Sequence, residues 1–156
     1  MVVTLNSLLY ASATVGKFVT FFYAQLRPEK DLLTSINAGH NYPIVIRSDG
    51  TCEQLEKGGV MLGIFPDEML LQISEYEPEV TQLFSGDVVV FYTDGVTETF
   101  NPNDELFEEE RLEETAKCVR DASASEICTA IYNAVTEFQG EAEQFDDLTL
   151  MVLKKK

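Results

Sequence analysis

Gly86-Asp87-Val88-Val89-Val90-Phe91-Tyr92-Thr93-Asp94-Gly95-Val96-Thr97-Glu98 is the stretch from which the rest of the chain can be read. Its five consecutive apolar residues are β-branched or aromatic, and turn residues bound them, so residues 88–92 are expected to form a strand. The apolar character is continuous rather than alternating, which predicts a strand covered on both faces. Asp94 stands just past the end of that strand, and Gly95 gives the backbone freedom for a sharp bend. Thr97 and Glu98 are expected to start a helical turn, and Asp87 reads as a turn residue. A second apolar run, Leu148-Thr149-Leu150-Met151-Val152-Leu153, is preceded directly by Asp146-Asp147. If the two strands lie antiparallel in one sheet, the carboxylate that ends one and the pair that opens the other meet at the same rim. Converging carboxylates with no basic partner are costly unless a cation sits between them. Oxygen donors alone select magnesium, manganese or calcium over zinc. Taken one at a time, these residues also have a plainer reading: Asp-Gly after a strand is commonly a turn, and Asp-Asp in a polar loop commonly faces solvent.

Working outward, residues 4–15 are expected to be helical, with Leu5, Leu8 and Leu9 on one side. Phe18 to Tyr23 and Leu32 to Asn37 read as two strands of a hairpin around a turn at Arg27-Pro28-Glu29-Lys30. Ala38 to Pro43 breaks the pattern, Ile44-Val45-Ile46 resumes it, and Ser48-Asp49-Gly50 turns the chain. Leu70 to Ile73 reads as a further strand. After the Asp94 segment, Asn101-Pro102-Asn103-Asp104 opens an acidic helical region. Its buried face is marked by Leu112, Ala116 and Val119, and its solvated face by Glu108-Glu109-Glu110. Ser123 and Glu126 have the spacing of a capping box. The helix that follows is expected to bury Ile127, Ile131, Ala134, Val135 and Phe138, and Gly140 ends it. The three closing lysines read as a solvated tail. Strands, then two helices, then a returning strand give an α+β class with sheet in the middle and helices outside.

Composition limits the function. The chain has 156 residues, one domain's worth, and its 45% hydrophobic and 24% charged residues exclude disorder. Eleven basic against 27 acidic residues give a formal net charge of −16. A surface this acidic argues against a nucleic-acid partner and against contact with anionic membranes. The longest apolar run is too short to cross a bilayer. Cys52, Cys118 and Cys128 are odd in number and form no CxxC pair, so reduced, mostly buried thiols and a cytoplasmic location are expected. Leu8 to Ala13 ends like a signal-peptidase site, but no basic segment precedes it, and it reads as part of the first helix. His40, the only histidine, lies in a Gly-Asn-Pro bend, and a structural role is favoured over a catalytic one. No GxSxG elbow or phosphate-cradling glycine loop is present, so covalent nucleophilic catalysis has no support.

Four strings in register along the chain carry a resemblance. They are Phe18-Val19-Thr20 with Asn37-Ala38-Gly39-His40-Asn41-Tyr42-Pro43, then Gly58-Gly59-Val60-Met61-Leu62-Gly63, then Gly86-Asp87 through Thr93-Asp94-Gly95-Val96-Thr97-Glu98, and finally Phe145-Asp146-Asp147-Leu148-Thr149-Leu150. Together they resemble the bacterial metal-dependent serine/threonine protein phosphatases of the PPM superfamily, SpoIIE/RsbU type. The resemblance implies an α-β-β-α sandwich of mainly antiparallel sheets. It also implies two divalent cations, Mn2+ or Mg2+, and hydrolysis of phosphoserine or phosphothreonine on a regulatory protein such as an anti-sigma factor antagonist. By motif position, Asp94 and Asp146 are the metal ligands, and Asp147 and Gly95 support them. Gly39 and His40 map to a structural turn. Glu108 departs from the pattern, standing after Phe107 where the family has glycine. The family's opening "GD.YD"-like segment has no match, so residues 1–156 are expected to be a partial domain whose catalysis is impaired. A non-catalytic, phosphatase-like binding module is the alternative. Apolar strands short of neighbours also lead to an expected homodimer.

Overall fold

The computed structural model describes residues 1–12, 16–73 and 76–156, apart from the side chain of Leu71. In chain order its elements are α1 (Val2–Ser12), β1 (Phe21–Arg27), β2 (Leu32–Ala38), β3 (Ile44–Ile46), β4 (Cys52–Gln54), β5 (Gly58–Gly59), α2 (Asp67–Ile73), β6 (Glu79–Gln82), β7 (Val88–Tyr92), α3 (Asp94–Thr97), α4 (Glu108–Cys118), α5 (Ala124–Gln139) and β8 (Leu150–Lys154). They divide into two compact units, residues 1–42 with 55–83 and residues 43–54 with 84–156.

In the first unit β2 is central. It pairs antiparallel with β1 along its whole length, from Phe21 opposite Ala38 to Arg27 opposite Leu32. Its other side takes β6 antiparallel and the short β5 in parallel. The expected hairpin is present, but β1 begins three residues later than the apolar pattern suggested. Phe18 and Val19 are exposed, and Val19 makes only an isolated bridge to Leu62. Helix α1 packs Val2, Leu5 and Leu9 against Ala38 and Leu62. Leu8, expected on that face, is 63% exposed. The place beside Leu5 and Leu9 is taken by Asn6, which is fully buried and acts as a clamp. Its Nδ2 donates to the Phe65 carbonyl at 3.1 Å and to Asp67 Oδ1 at 2.9 Å, while its Oδ1 accepts the Gly63 N–H at 2.9 Å. The expected helical residues 13–15 lie outside the described residues.

Residues 70–73, read as a strand, are the second half of helix α2. An apolar run this short fits either period. The deciding signal is Pro66 followed by Asp67-Glu68, which favours a helix start, with acids in the first turn. The polar strand β6 has no apolar alternation to announce it; only Thr81 is buried there.

The second unit is an antiparallel sheet in the order β4-β3-β7-β8. Helices α4 and α5 cover one face, where Leu112, Ile127 and Ile131 meet Ile44, Val88 and Val90. Val45 and Val89 alternate to the other face and are equally inaccessible. The continuous apolar run of β7 therefore has the two-sided burial its pattern implied. The capping box of α5 is also present: Ser123 Oγ accepts the Glu126 N–H at 3.3 Å, and Glu126 Oε2 accepts the Ser123 N–H at 2.8 Å.

Three expectations are corrected in this unit. Asp87 is no simple turn residue. It is 1% exposed, ion-paired to Arg47 Nη1 at 2.7 Å, and accepts the Phe84 N–H at 2.9 Å and the Ser48 N–H at 3.2 Å. Lys154 is no free tail. Its Nζ donates to the carbonyls of Arg120 at 2.6 Å and Ala122 at 2.7 Å, satisfying backbone oxygens between α4 and α5 that no helical bond reaches. Of the three free thiols, Cys118 is exposed and Cys52 and Cys128 are half-buried, rather than mostly buried as expected.

The backbone at Glu108 accounts for the glycine of the family pattern, and nothing in the structure explains the glutamate. Its φ is 64°, a left-handed conformation that glycine adopts without a steric penalty. The left-handed region costs a side-chain-bearing residue about 1–2 kcal/mol. Replacement also removes a favourable acid from the first helical turn, so Glu108→Gly is expected to stabilise the chain by a net ~0.5–1 kcal/mol in urea unfolding.

Candidate functional site

The site grows from the register of β7 and β8. The two are antiparallel, with Tyr92 opposite Leu150. The residues that follow Tyr92 and those that precede Leu150 therefore leave the sheet at the same end. Thr93 ties them together. Its N–H donates to the Thr149 carbonyl at 3.1 Å, and its Oγ1 accepts the Thr149 N–H at 3.0 Å and donates to the Asp147 carbonyl at 3.0 Å. Sequence reading quoted Thr93 within a family-like string but gave it no role of its own.

Gly95 is needed here, but not for the bend first expected. It lies in the short helix α3, is buried, and is absent from the residues with positive φ. Its requirement is close approach: a Cβ at Gly95 would stand 2.4 Å from the Asp147 carbonyl oxygen and 2.9 Å from its carbon. The Asp94-Gly95 and Asp146-Asp147 segments are thus held in backbone contact. Gly95→Ala is expected to push them apart and to destabilise the chain by about 2–3 kcal/mol, the range of overpacking in a tight site. Urea unfolding, run beside an exposed control such as Glu98→Ala, measures this.

Both candidate ligands are exposed to solvent. One oxygen of each is fixed by the next peptide. Asp94 Oδ1 accepts the Gly95 N–H at 3.0 Å, and Asp146 Oδ1 accepts the Asp147 N–H at 2.7 Å. Gln144 Nε2 donates to the Asp146 carbonyl at 2.8 Å and steadies the same loop. Asp147 therefore touches its neighbours through its main chain: its N–H orients Asp146, and its carbonyl receives Thr93 and abuts Gly95. Gly95 and Asp146 line one groove together with Glu98, Phe100 and Phe145. His40 belongs to the first unit, where its N–H donates to Asn37 Oδ1 at 2.7 Å and its carbonyl accepts Asn37 Nδ2 at 2.9 Å.

The donor chemistry at the β7–β8 rim fits a hard divalent cation, with carboxylate oxygens on exposed, backbone-oriented side chains. The number of donors is small. Among the described residues, no group of three or more His, Cys, Asp or Glu side chains converges on one point.

Comparison with known proteins places the chain in a family. The sequence model described as Stage II sporulation protein E (SpoIIE) matches residues 1–156. The chain belongs to the SpoIIE family. This SpoIIE-family chain is 32% identical over 155 residues to phosphoserine phosphatase RsbU of Bacillus subtilis (strain 168). That match covers 97% of the chain but only 43% of RsbU, so the chain spans less than half of that relative's length. Its fold is similar to that of the phosphatase domain of SpoIIE from Bacillus subtilis, presoaked with manganese, with TM-score 0.67 at 18% identity over 99% of this chain and 64% of that one. It is also similar to the catalytic domain of the serine/threonine protein phosphatase PstP in complex with two manganese ions, with TM-score 0.57 at 19% identity over 94% of this chain and 65% of that one. The α+β fold is therefore that of PPM phosphatase domains. Among the described residues no helix is long and apolar enough to cross a membrane.

Proposed function

We propose that this SpoIIE-family chain is the part of a phosphatase domain that carries Asp94 and Asp146 as ligands of Mn2+ or Mg2+, and that the domain hydrolyses phosphoserine or phosphothreonine on a regulatory protein in bacterial signalling. The observation that carries the proposal is the backbone contact at the β7–β8 rim, where Gly95 fits against Asp147 and only glycine fits. That contact holds the two segments that carry the exposed carboxylates together without burying either. When bound, a pair of divalent cations supplies charge stabilisation of the phosphoryl oxygens and a nucleophile at neutral pH. The residues of this chain do the rest. Asp94 and Asp146 hold positive charge at the rim of an otherwise acidic protein, Gly95 and Asp147 supply the N–H groups that orient them, and Thr93 locks the two segments together. An anti-sigma factor antagonist is the proposed class of partner by family resemblance, and the name phosphoserine phosphatase RsbU supports serine as the phosphorylated residue.

The two ligands contribute −2 against the +4 of a cation pair. We therefore expect this chain's own carboxylates to bind manganese weakly, with Kd on the order of 10⁻⁴–10⁻³ M, and to turn over slowly. The small donor set is also what favours the second reading, a phosphatase-like module that binds a phosphoprotein without hydrolysing it. One assay separates the two. Release of phosphate from a phosphoserine peptide, measured with millimolar manganese and again after chelation, should rise with the metal and vanish with the chelator. Tight peptide binding with no metal-dependent release would favour the module.

A further inference from the structure

Phe145 is the most exposed large apolar residue among the described residues, at 78%. It stands directly before Asp146. Its ring meets that of Phe100 edge to face, with centroids 6.2 Å apart and planes at 84°. This edge contact leaves a face of Phe145 open to solvent. The two rings share one groove with Asp146, Glu98 and Glu143. Neither Glu98 nor Glu143 has a side-chain hydrogen bond or ion pair among the described residues. An aromatic face flanked by unpaired carboxylates attracts a cation through the ring quadrupole and through simple charge. It repels an acidic side chain.

We propose that Phe145 is a specificity-determining residue, and that the Phe145–Phe100 ledge with Glu98 and Glu143 receives an arginine or lysine flanking the phosphorylated residue of the substrate. The proposal rests on the phosphatase reading above for the direction in which the peptide lies, and it supplies what that reading lacks. A chain with net charge −16 repels a phosphorylated segment, and the metal site alone gives limited compensation. A basic residue beside the phosphate turns this repulsion into attraction at a defined place. Asp146 lines the groove and is also a candidate metal ligand, so the ledge lies beside the proposed phosphate position.

The test uses three fluorescein-labelled phosphoserine peptides that differ only in the flanking residue, arginine, alanine or glutamate. Their unphosphorylated counterparts and the unmodified chain complete the set. Binding is read by anisotropy with manganese present. The arginine peptide is expected to bind about three- to ten-fold more tightly than the alanine one, the size of an exposed cation–π contact assisted by charge, and the glutamate peptide more weakly than either. Phe145→Ala should collapse the arginine preference to within about two-fold, and Phe145→Leu should do the same although it keeps the apolar surface. Phe145→Tyr should retain the preference. Glu98→Gln combined with Glu143→Gln should reduce both the preference and its salt dependence. The unphosphorylated arginine peptide separates this proposal from the phosphatase reading. If its preference over alanine persists and depends on Phe145 while phosphate adds no affinity, the groove stands and the phosphatase reading fails. An arginine preference that is absent, or unchanged in Phe145→Ala, would overturn the proposal.

Discussion

Asp94→Asn and Asp146→Asn are each expected to lower metal-dependent release of phosphate by about 10³-fold or more, while the midpoint of urea unfolding hardly moves. Each substitution keeps the shape and removes one negative charge from the pair proposed to hold the cations. In the proposed mechanism bound metal would supply both the nucleophile and the charge stabilisation, so the loss is expected to fall on turnover. The fold is spared because each side chain is exposed and bonds only to the N–H of the next residue, at 3.0 Å for Asp94 and 2.7 Å for Asp146. An amide oxygen can accept the same bond. Phosphate release from a phosphoserine peptide across a manganese series, paired with urea melts of the same preparations, measures both effects.

Asp87→Ala is expected to do the reverse. Asp87 is the same residue type at the other end of the same strand, but it is buried. Removing it leaves Arg47, whose side chain is only 16% exposed, without its inner partner. It also leaves the N–H groups of Ser48 and Phe84 without their acceptor. Breaking a buried pair costs about 3–5 kcal/mol. Arg47 keeps its 2.7 Å contact with Glu53, which holds the guanidinium's proton affinity above its ordinary value, so the lower end of that range is expected. Asp87→Asn, which keeps one acceptor, should cost about half as much. Both read out as a shift in the urea midpoint at unchanged slope. Bound manganese should leave this loss unrepaired, because Asp87 and the candidate ligands lie at opposite ends of β7.

These three aspartates also show how much of the molecule was legible in the sequence. β7 could be read residue by residue because its apolar run is continuous and bounded by Asp87 and Asp94. The candidate ligands could be placed for the same reason, since each stands at the end of such a run. What the side chains touch was less legible. Asp87 looks like a turn residue because its partner, Arg47, is forty positions away in the chain. Asn6 looks like a break in an apolar face, although hydrogen bonds to residues 63–67 make it part of that face. Gly95 was recognised as necessary for a reason of local conformation, whereas the structure needs it for packing against a residue more than fifty positions away. Helix α2 and strand β6 were missed because seven and four residues are too few for the period to show. In each case the deciding contact is long-range, and periodicity reports only on the local chain.

The central claim is that Asp94 and Asp146 jointly hold a divalent cation at the rim shared by β7 and β8. Calorimetric titration of manganese into the wild-type chain, Asp94→Asn, Asp146→Asn and the distant exposed control Asp121→Asn tests it most directly. The account predicts saturable binding by the wild type and the control, and loss of most of that affinity, about ten-fold or more, in each of the two rim variants. Manganese affinity unchanged in either rim variant would contradict it.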